Sequence, residues 1–175
     1  MIIKVKEYLP VIIEKHPYYK SINKKLMEQI DSLLFEKAEK LPYYTNVRGE
    51  QYNFGNGDIG PTIKLIEKWI TELIATNIIR RSPLRSFRFW FSRLNDEKGQ
   101  LTYDHDHLTT ATLSAVYFVN TPKGSSPLVF TTSGKKIKAE EGKVVIFPAP
   151  LRHMVPQNRC KNRVVLVCNI GLASY

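Results

Sequence analysis

Three of the four histidines lie in the second half of the chain, with a spacing that suits a metal site. His105 and His107 are two residues apart, so on a strand both rings project from one face, about 7 Å apart at a rise of roughly 3.3 Å per residue. Two imidazoles placed in this way can bind one metal ion. His153 follows a turn at residues 148–150, where a sheet that folds back could bring it to the third position. The sequence predicts a metal held by His105, His107 and His153 with the remaining positions open, whereas His16 is expected to be a surface residue.

Arg163 is the second residue whose position suggests chemistry. It opens an apolar strand pattern at residues 163–170, ten positions after His153. A guanidinium that points into an apolar interior must pair with an anion, and its planar fork matches a carboxylate, such as one end of a dicarboxylate cosubstrate. The alternative is that Arg163 caps the strand in solvent, or pairs with Glu140 or Glu141.

The size and composition of the chain predict one soluble globular domain. The 175 residues are 43% apolar and 24% charged, which is typical of folded proteins rather than disordered ones. No signal-peptide core and no apolar stretch of roughly 20 residues is visible, so we expect a cytoplasmic protein (cytoplasm of the host cell if a phage encodes it) that does not bind a membrane. Cys160 and Cys168 suit reduced, partly buried thiols better than a disulfide.

The elements that must position these residues divide the chain at residue 85. Residues 1–85 are predicted to form a helical support, with helical stripes at 21–40 and from Pro61 to residue 74, separated by an irregular loop at 46–60 that could form a substrate wall. Residues 86–175 are predicted to form the catalytic core, because short alternating segments separated by turn signals indicate a sandwich or jelly roll. The predicted strands are residues 86–94, 101–107, 112–119, 128–132, 135–139, 144–147, 153–156 and 163–170.

This second half resembles the iron(II) and 2-oxoglutarate-dependent oxygenase superfamily. The resemblance is strongest to its prolyl-hydroxylase-like branch and to phage and bacterial hydroxylases in which His-x-His replaces His-x-Asp. It covers residues 86–171 and depends on the order and spacing of several segments. The matching segments are residues 89–91, 105–107, 113–119, 127–130, 142–148, 153–156 and 163–169.

The resemblance implies a double-stranded β-helix, a cupin-like jelly roll, flanked by N-terminal helices in a mainly β (α+β) fold. It implies that His105, His107 and His153 bind iron(II), and that Arg163 binds the distal carboxylate of 2-oxoglutarate, assisted by Ser114 on the adjacent strand. The implied enzyme is a dioxygenase that uses O2 to hydroxylate a substrate and converts 2-oxoglutarate to succinate. A peptide or prolyl substrate is the first candidate by analogy, and nucleobases and small molecules stay open.

The second ligand position departs from the superfamily pattern, because His107 stands where Asp or Glu is usual. Asp106 precedes it by one residue and Asp104 by three. On a regular strand Asp106 points away from the face shared by His105 and His107. If the strand is bulged, Asp106 could turn inward and restore a carboxylate ligand.

Two other classes of function stay open. The first is a cupin-like module that binds a metal, or none, without redox chemistry. The second is a basic protein that associates with nucleic acid, because the net charge is +10. Its densest basic cluster is Arg80, Arg81, Arg85, Arg88 and Arg93, interleaved with Phe87, Phe89, Trp90 and Phe91. For this cluster the alternation favours a strand at a sheet edge, with one aromatic face and solvated arginines.

Overall fold

Short strands with alternating side chains pair into two sheets, in which every recorded strand pair is antiparallel. The computed structural model describes residues 9–42, 45–55, 57–78 and 84–172. The strands are β1 (Ile12–Lys15), β2 (Glu36–Lys37), β3 (Val47–Arg48), β4 (Glu50–Asn53), β5 (Leu84–Leu94), β6 (Leu101–His105), β7 (Leu113–Asn120), β8 (Leu128–Phe130), β9 (Lys135–Ile137), β10 (Lys143–Pro148), β11 (His153–Val155) and β12 (Arg163–Leu172). The helices are α1 (Tyr19–Asp31) and α2 (Gly60–Asn77), with a short 3-10 turn at Ala38–Lys40.

The topology is that of a double-stranded β-helix. The larger sheet has the order β1-β10-β7-β12-β5-β4-β2, and the smaller sheet has the order β3-β6-β11-β8-β9. The eight strands β5 to β12 divide equally between the two sheets, and each overlaps one of the eight strands predicted from the sequence. The predicted fold class is therefore confirmed. β6 ends at His105, two residues before the predicted end, so His107 does not lie on the strand.

The larger sheet separates two hydrophobic cores. On one side, α1 and α2 pack with their buried isoleucine and leucine stripes against the back of the sheet, together with Val164, Leu166 and Cys168 of β12. On the other side, Val165 and partly buried Val167 face the smaller sheet. Because side chains alternate along a strand, the odd-numbered residues of β12, including Arg163, belong to the space between the sheets.

The predicted helix at residues 21–40 is only partly correct. α1 ends at Asp31, where the backbone N–H groups of Ser32 and Leu33 donate to carbonyl groups of the last turn. Leu34 is 88% exposed, so the apolar stripe does not continue to this residue. Residues 36–37 instead form β2, which pairs with β4. The spacing of apolar residues could not predict that residues 36–37 would pair with β4, which lies further along the chain.

The loop predicted at residues 46–60 contains two strands. β3 joins the smaller sheet beside β6, and β4 joins the larger sheet beside β5. The region before residue 86 therefore contributes strands to both sheets as well as two helices. β4 pairs with residues 90–93 of β5, so the sheet-edge interpretation of the arginine-rich segment is wrong at Arg93, whereas this pairing does not extend to Arg88.

The aromatic face of β5 is confirmed. Phe87, Phe89 and Phe91 pack in the core beneath the helices. Arg93 pairs with Glu50 at 3.5 Å. Arg80 and Arg81 lie outside the described residues.

Both cysteines are free and buried, as predicted. Neither described helix has the length and hydropathy needed to cross a membrane.

Candidate metal centre

The three predicted histidines converge in the space between the sheets. His105 is the last residue of β6 and pairs in register with His153, the first residue of β11. His107 lies two residues beyond the end of β6, where its backbone N–H donates to the carbonyl oxygen of Ala149 at 2.9 Å. One potential ligand atom from each ring lies within 4.8 Å of the other two. These three nitrogens can therefore bind one metal ion with modest adjustment of the side chains.

Hydrogen bonds prepare two of these rings for metal binding. The Nδ1 atom of His105 lies 2.7 Å from the carbonyl oxygen of Tyr103, and the Nδ1 atom of His153 lies 2.9 Å from that of Leu151. A carbonyl oxygen only accepts, so Nδ1 carries the proton in both rings and Nε2 keeps its lone pair.

Burial also keeps these histidines neutral. It lowers the pKa of His153 to about 3 and that of His107 to about 4, and it lowers the pKa of His105 as well. The neutral imidazole is the form that binds a metal. At neutral pH, all three rings are therefore uncharged, and no ring has to lose a proton before it binds a metal.

The nearby carboxylates of Asp104 and Asp106 do not belong to the cluster, and their oxygen atoms contact other groups. Arg152 lies 2.8 Å from a carboxylate oxygen of Asp104 and 3.5 Å from one of Asp106. The other carboxylate oxygen of Asp106 accepts the backbone N–H of Leu108 at 3.2 Å. The alternative in which a bulge turns Asp106 toward the histidines is therefore not observed. The side chain that joins His105 and His153 in the cluster is that of His107, although β6 ends before this residue.

Arg163 is 1% exposed, and its charge has no anionic partner among the described residues. Its Nε–H donates to the carbonyl oxygen of Ser126 at 3.0 Å, and its guanidinium carbon lies 5.6 Å from the centre of the Phe118 ring. Burial lowers its pKa to about 10. Glu140 pairs with lysines instead, and Glu141 contacts the backbone of residue 121. Arg163 therefore neither caps the strand in solvent nor pairs with Glu140 or Glu141, which were the alternatives predicted from the sequence.

Two adjoining spaces meet at the histidines. The inner cavity, about 60 Å³, is lined by Arg163, all three histidines and mainly apolar side chains. The outer pocket, about 480 Å³, is lined by His105 and His107 and by residues of the segment that contains β3 and β4. Trp90 borders both spaces, and no carboxylate is among the described residues that line either one. A metal at this point would face a cationic inner cavity and a wider outer pocket.

Ser114 lies on the inner face of β7, away from the lining of the inner cavity. Its hydroxyl donates to Oδ1 of Asn169 at 2.9 Å. The side-chain nitrogen of Asn169 lies 3.4 Å from Nδ1 of His107. Asn169 was not among the residues predicted from the sequence. Its even spacing from Arg163 on one strand was the available signal, because it places both side chains on the same face. His16 lies elsewhere, against Trp69 of α2.

No protein-family model matches the chain, and no curated protein matches its sequence. Solved structures do match over nearly the whole chain. A prolyl-4-hydroxylase from Pseudomonas putida is 16% identical with a TM-score of 0.71, and the match covers 94% of this chain and 93% of that one. The viral collagen prolyl hydroxylase of Paramecium bursaria Chlorella virus 1, solved with 2-oxoglutarate, is 18% identical with a TM-score of 0.69, over 93% of this chain and 96% of that one.

A third match is a prolyl hydroxylase from Trichoplax adhaerens, solved with a peptide fragment of the hypoxia-inducible factor. It is 12% identical with a TM-score of 0.69, over 91% of this chain and 82% of that one. At these identities the comparison concerns the fold. The chain shares the double-stranded β-helix fold of prolyl hydroxylases and other 2-oxoglutarate and iron(II)-dependent oxygenases.

Proposed function

We propose that the chain is an iron(II) and 2-oxoglutarate-dependent oxygenase that hydroxylates a substrate bound in the outer pocket. The observation that carries this proposal is the buried cation of Arg163, which has no anionic partner in the described residues and lines the cavity that the three histidines also line. A buried charge without a partner is costly. A ligand with a carboxylate at one end and metal-binding oxygens at the other would satisfy both Arg163 and a metal.

The donor set fits iron(II). Imidazole nitrogen is a common ligand of iron, and a set of three histidines would leave positions open for a cosubstrate and O2. Three neutral histidines contribute no negative charge, whereas the usual set contains one carboxylate. The metal site here is therefore more positive than the usual one, which favours a dianionic cosubstrate. When bound, iron and 2-oxoglutarate would supply O2 activation coupled to the release of CO2 and succinate.

The chain itself supplies binding, orientation and exclusion of water. Arg163 would hold the distal carboxylate of 2-oxoglutarate through its two terminal nitrogens, because its Nε is already bonded to Ser126. The valines Val116, Val165 and Val167 line the inner cavity and leave few polar groups to hold water. These apolar walls would strengthen the electrostatic contact between the guanidinium and a carboxylate.

The outer pocket would bind the primary substrate. Its lining includes the amide side chains of Asn46, Gln51 and Asn53, together with Arg88 and Trp90. Amides can donate to and accept from a peptide backbone. The peptide bound to the Trichoplax prolyl hydroxylase supports a peptide or protein as the first candidate substrate. A prolyl residue would be the first target to test within such peptides.

The test is an anaerobic titration of the protein with iron(II), followed by 2-oxoglutarate. We expect the weak visible charge-transfer band of a metal-bound 2-oxo acid, and no band in the His153→Ala variant. Succinate should then form slowly when O2 is admitted. A flat spectrum with the wild-type protein would contradict the proposal and favour a β-helix module without redox chemistry.

A further inference from the structure

We infer that Asn169 is a positioning residue that fixes the tautomer and orientation of His107, with Ser114 holding its amide in place. This inference rests on the proposed metal site. Asn169 pairs in register with Ser114 across β12 and β7. Its amide lies 2.9 Å from the Ser114 hydroxyl and 3.4 Å from Nδ1 of His107. Ser114 is fully buried, so its hydroxyl is a fixed anchor.

His107 differs from the other two histidines in the partner of its Nδ1 atom. His105 and His153 each face a backbone carbonyl, which dictates a proton on Nδ1. His107 faces an amide, which can present either its nitrogen or its oxygen. If the amide nitrogen donates to Nδ1, the proton of the neutral ring must lie on Nε2, and the ring then has no free lone pair for a metal.

Rotating the amide of Asn169 by 180° resolves this conflict. Its oxygen then accepts the N–H of Nδ1, and its nitrogen donates to the hydroxyl of Ser114. The contact with Ser114 survives because a hydroxyl both donates and accepts, and the two ends of an amide are assigned from such networks. For the same reason the Thr110 hydroxyl, 3.4 Å from the amide nitrogen, can donate to the oxygen that replaces it. In this orientation all three histidines carry the proton on Nδ1 and offer Nε2 to the metal.

The same arrangement gives Ser114 a different task from binding 2-oxoglutarate. Metal-bound histidines usually donate their second N–H to an oxygen that orients the ring, and loss of that partner typically weakens metal binding by about 10- to 100-fold. Backbone carbonyls serve His105 and His153 in this way. Asn169 would serve His107, and Ser114 would select the useful orientation of the amide by holding its nitrogen.

The experiment measures anaerobic binding of cobalt(II), without cosubstrate, to three test variants and one control variant. Asn169→Leu removes the hydrogen bonds at similar size and should weaken binding about 10- to 100-fold. Asn169→Asp can only accept, so it should retain at least the wild-type affinity. Ser114→Ala should show a smaller loss, below about tenfold, because one hydrogen bond of modest net strength is removed. Asn120→Leu is a matched control on β7, whose amide binds the carbonyl of Asn162 instead, and it should bind cobalt(II) normally.

A second measurement does not depend on any variant. Nitrogen-15 spectra of the zinc(II)-loaded wild-type protein should show His107 protonated on Nδ1. Protonation on Nε2 would overturn the inference, as would unchanged affinity in Asn169→Leu, or an equal loss in Asn169→Asp and Asn169→Leu when thermal unfolding shows that both fold. A wild-type protein that binds no metal would overturn the proposed function itself, and this outcome is distinct from a failure of Asn169 alone.

Discussion

Replacing Arg163 by methionine is expected to stabilise the ligand-free protein and to remove its affinity for 2-oxoglutarate. Burial lowers the pKa of Arg163 from 12.5 to about 10. The difference of 2.5, at about 1.4 kcal/mol for each pKa unit, corresponds to about 3 kcal/mol of destabilisation. Because the lowered pKa disfavours the charged form in the folded state, this destabilisation is fully present at every pH below about 10.

The substitution also removes the bond from Nε to the carbonyl oxygen of Ser126, and an unsatisfied buried acceptor costs about 1 to 3 kcal/mol. Methionine keeps an unbranched side chain that can fill the same space. The free energy of unfolding should therefore rise by about 1 kcal/mol, within a range of about 0 to 2 kcal/mol. For a chain of this length, a gain of 1 kcal/mol raises the melting temperature by about 2 to 4 °C.

The effect on binding should have the opposite sign. Two charge-assisted hydrogen bonds, each worth about 1.5 to 3 kcal/mol, are lost, so the affinity for 2-oxoglutarate should fall by at least about 100-fold. Arg163→Lys keeps the charge but not the planar fork, and should lose less. Iron(II) binding should survive in both variants because no metal ligand is changed.

The assay combines thermal unfolding without ligand and anaerobic calorimetry of 2-oxoglutarate with the iron(II) protein. Arg93→Met is the matched control, because Arg93 pairs with Glu50 and stacks on the ring of Phe35 at 3.9 Å. That variant should lose stability and keep its affinity for 2-oxoglutarate. If Arg163→Met unfolds more easily than the wild-type protein and binds 2-oxoglutarate equally well, Arg163 stabilises the fold and does not bind the cosubstrate, contrary to the proposal.

Three further outcomes are expected. His153→Ala and His105→Ala should each abolish iron(II) binding, whereas His16→Ala should not. If His153→Ala binds as much iron(II) as the wild-type protein, His153 is not a metal ligand. His107→Ala should weaken iron(II) binding more than Asp106→Ala, because the Asp106 carboxylate is turned toward solvent and its arginine partner; the reverse order would identify a carboxylate ligand. The free energy of unfolding of the metal-free protein should fall as the pH drops below 6.5. The pKa of His153 is about 3 in the folded state, so in this pH range the unfolded chain binds a proton at His153 and the folded protein does not. At pH 5 the loss in the free energy of unfolding due to His153 is about 2 kcal/mol, at about 1.4 kcal/mol per pKa unit. Denaturant unfolding of His153→Gln should show a shallower pH dependence than the wild-type protein. Parallel pH curves for the two proteins would contradict this prediction.

The strands of the β-helix could be predicted because their signal is local. Alternation along β12 places Arg163 and the valines on the inner face whatever the strand pairs with. The ends of helix α1 and the strands β2 and β4 could not be predicted in this way. The two strands are short. β2 pairs with β4, and β4 pairs with β5, across sequence separations that apolar spacing does not record.

For the candidate site, the sequence by itself determined which side chains were available, and alternation placed Arg163 on the inner face of β12. It did not determine the position of His107, which lies beyond the end of β6. It could not determine that His153 would stand opposite His105, since register depends on how two strands 48 residues apart pair. The tertiary structure also decided that Asp106 lies beside Arg152 and that Asn169 lies beside His107. The physical reason is that alternation is a property of the local backbone, whereas the partners of a buried polar group are chosen only when the two sheets close and each donor, acceptor and charge must find its complement.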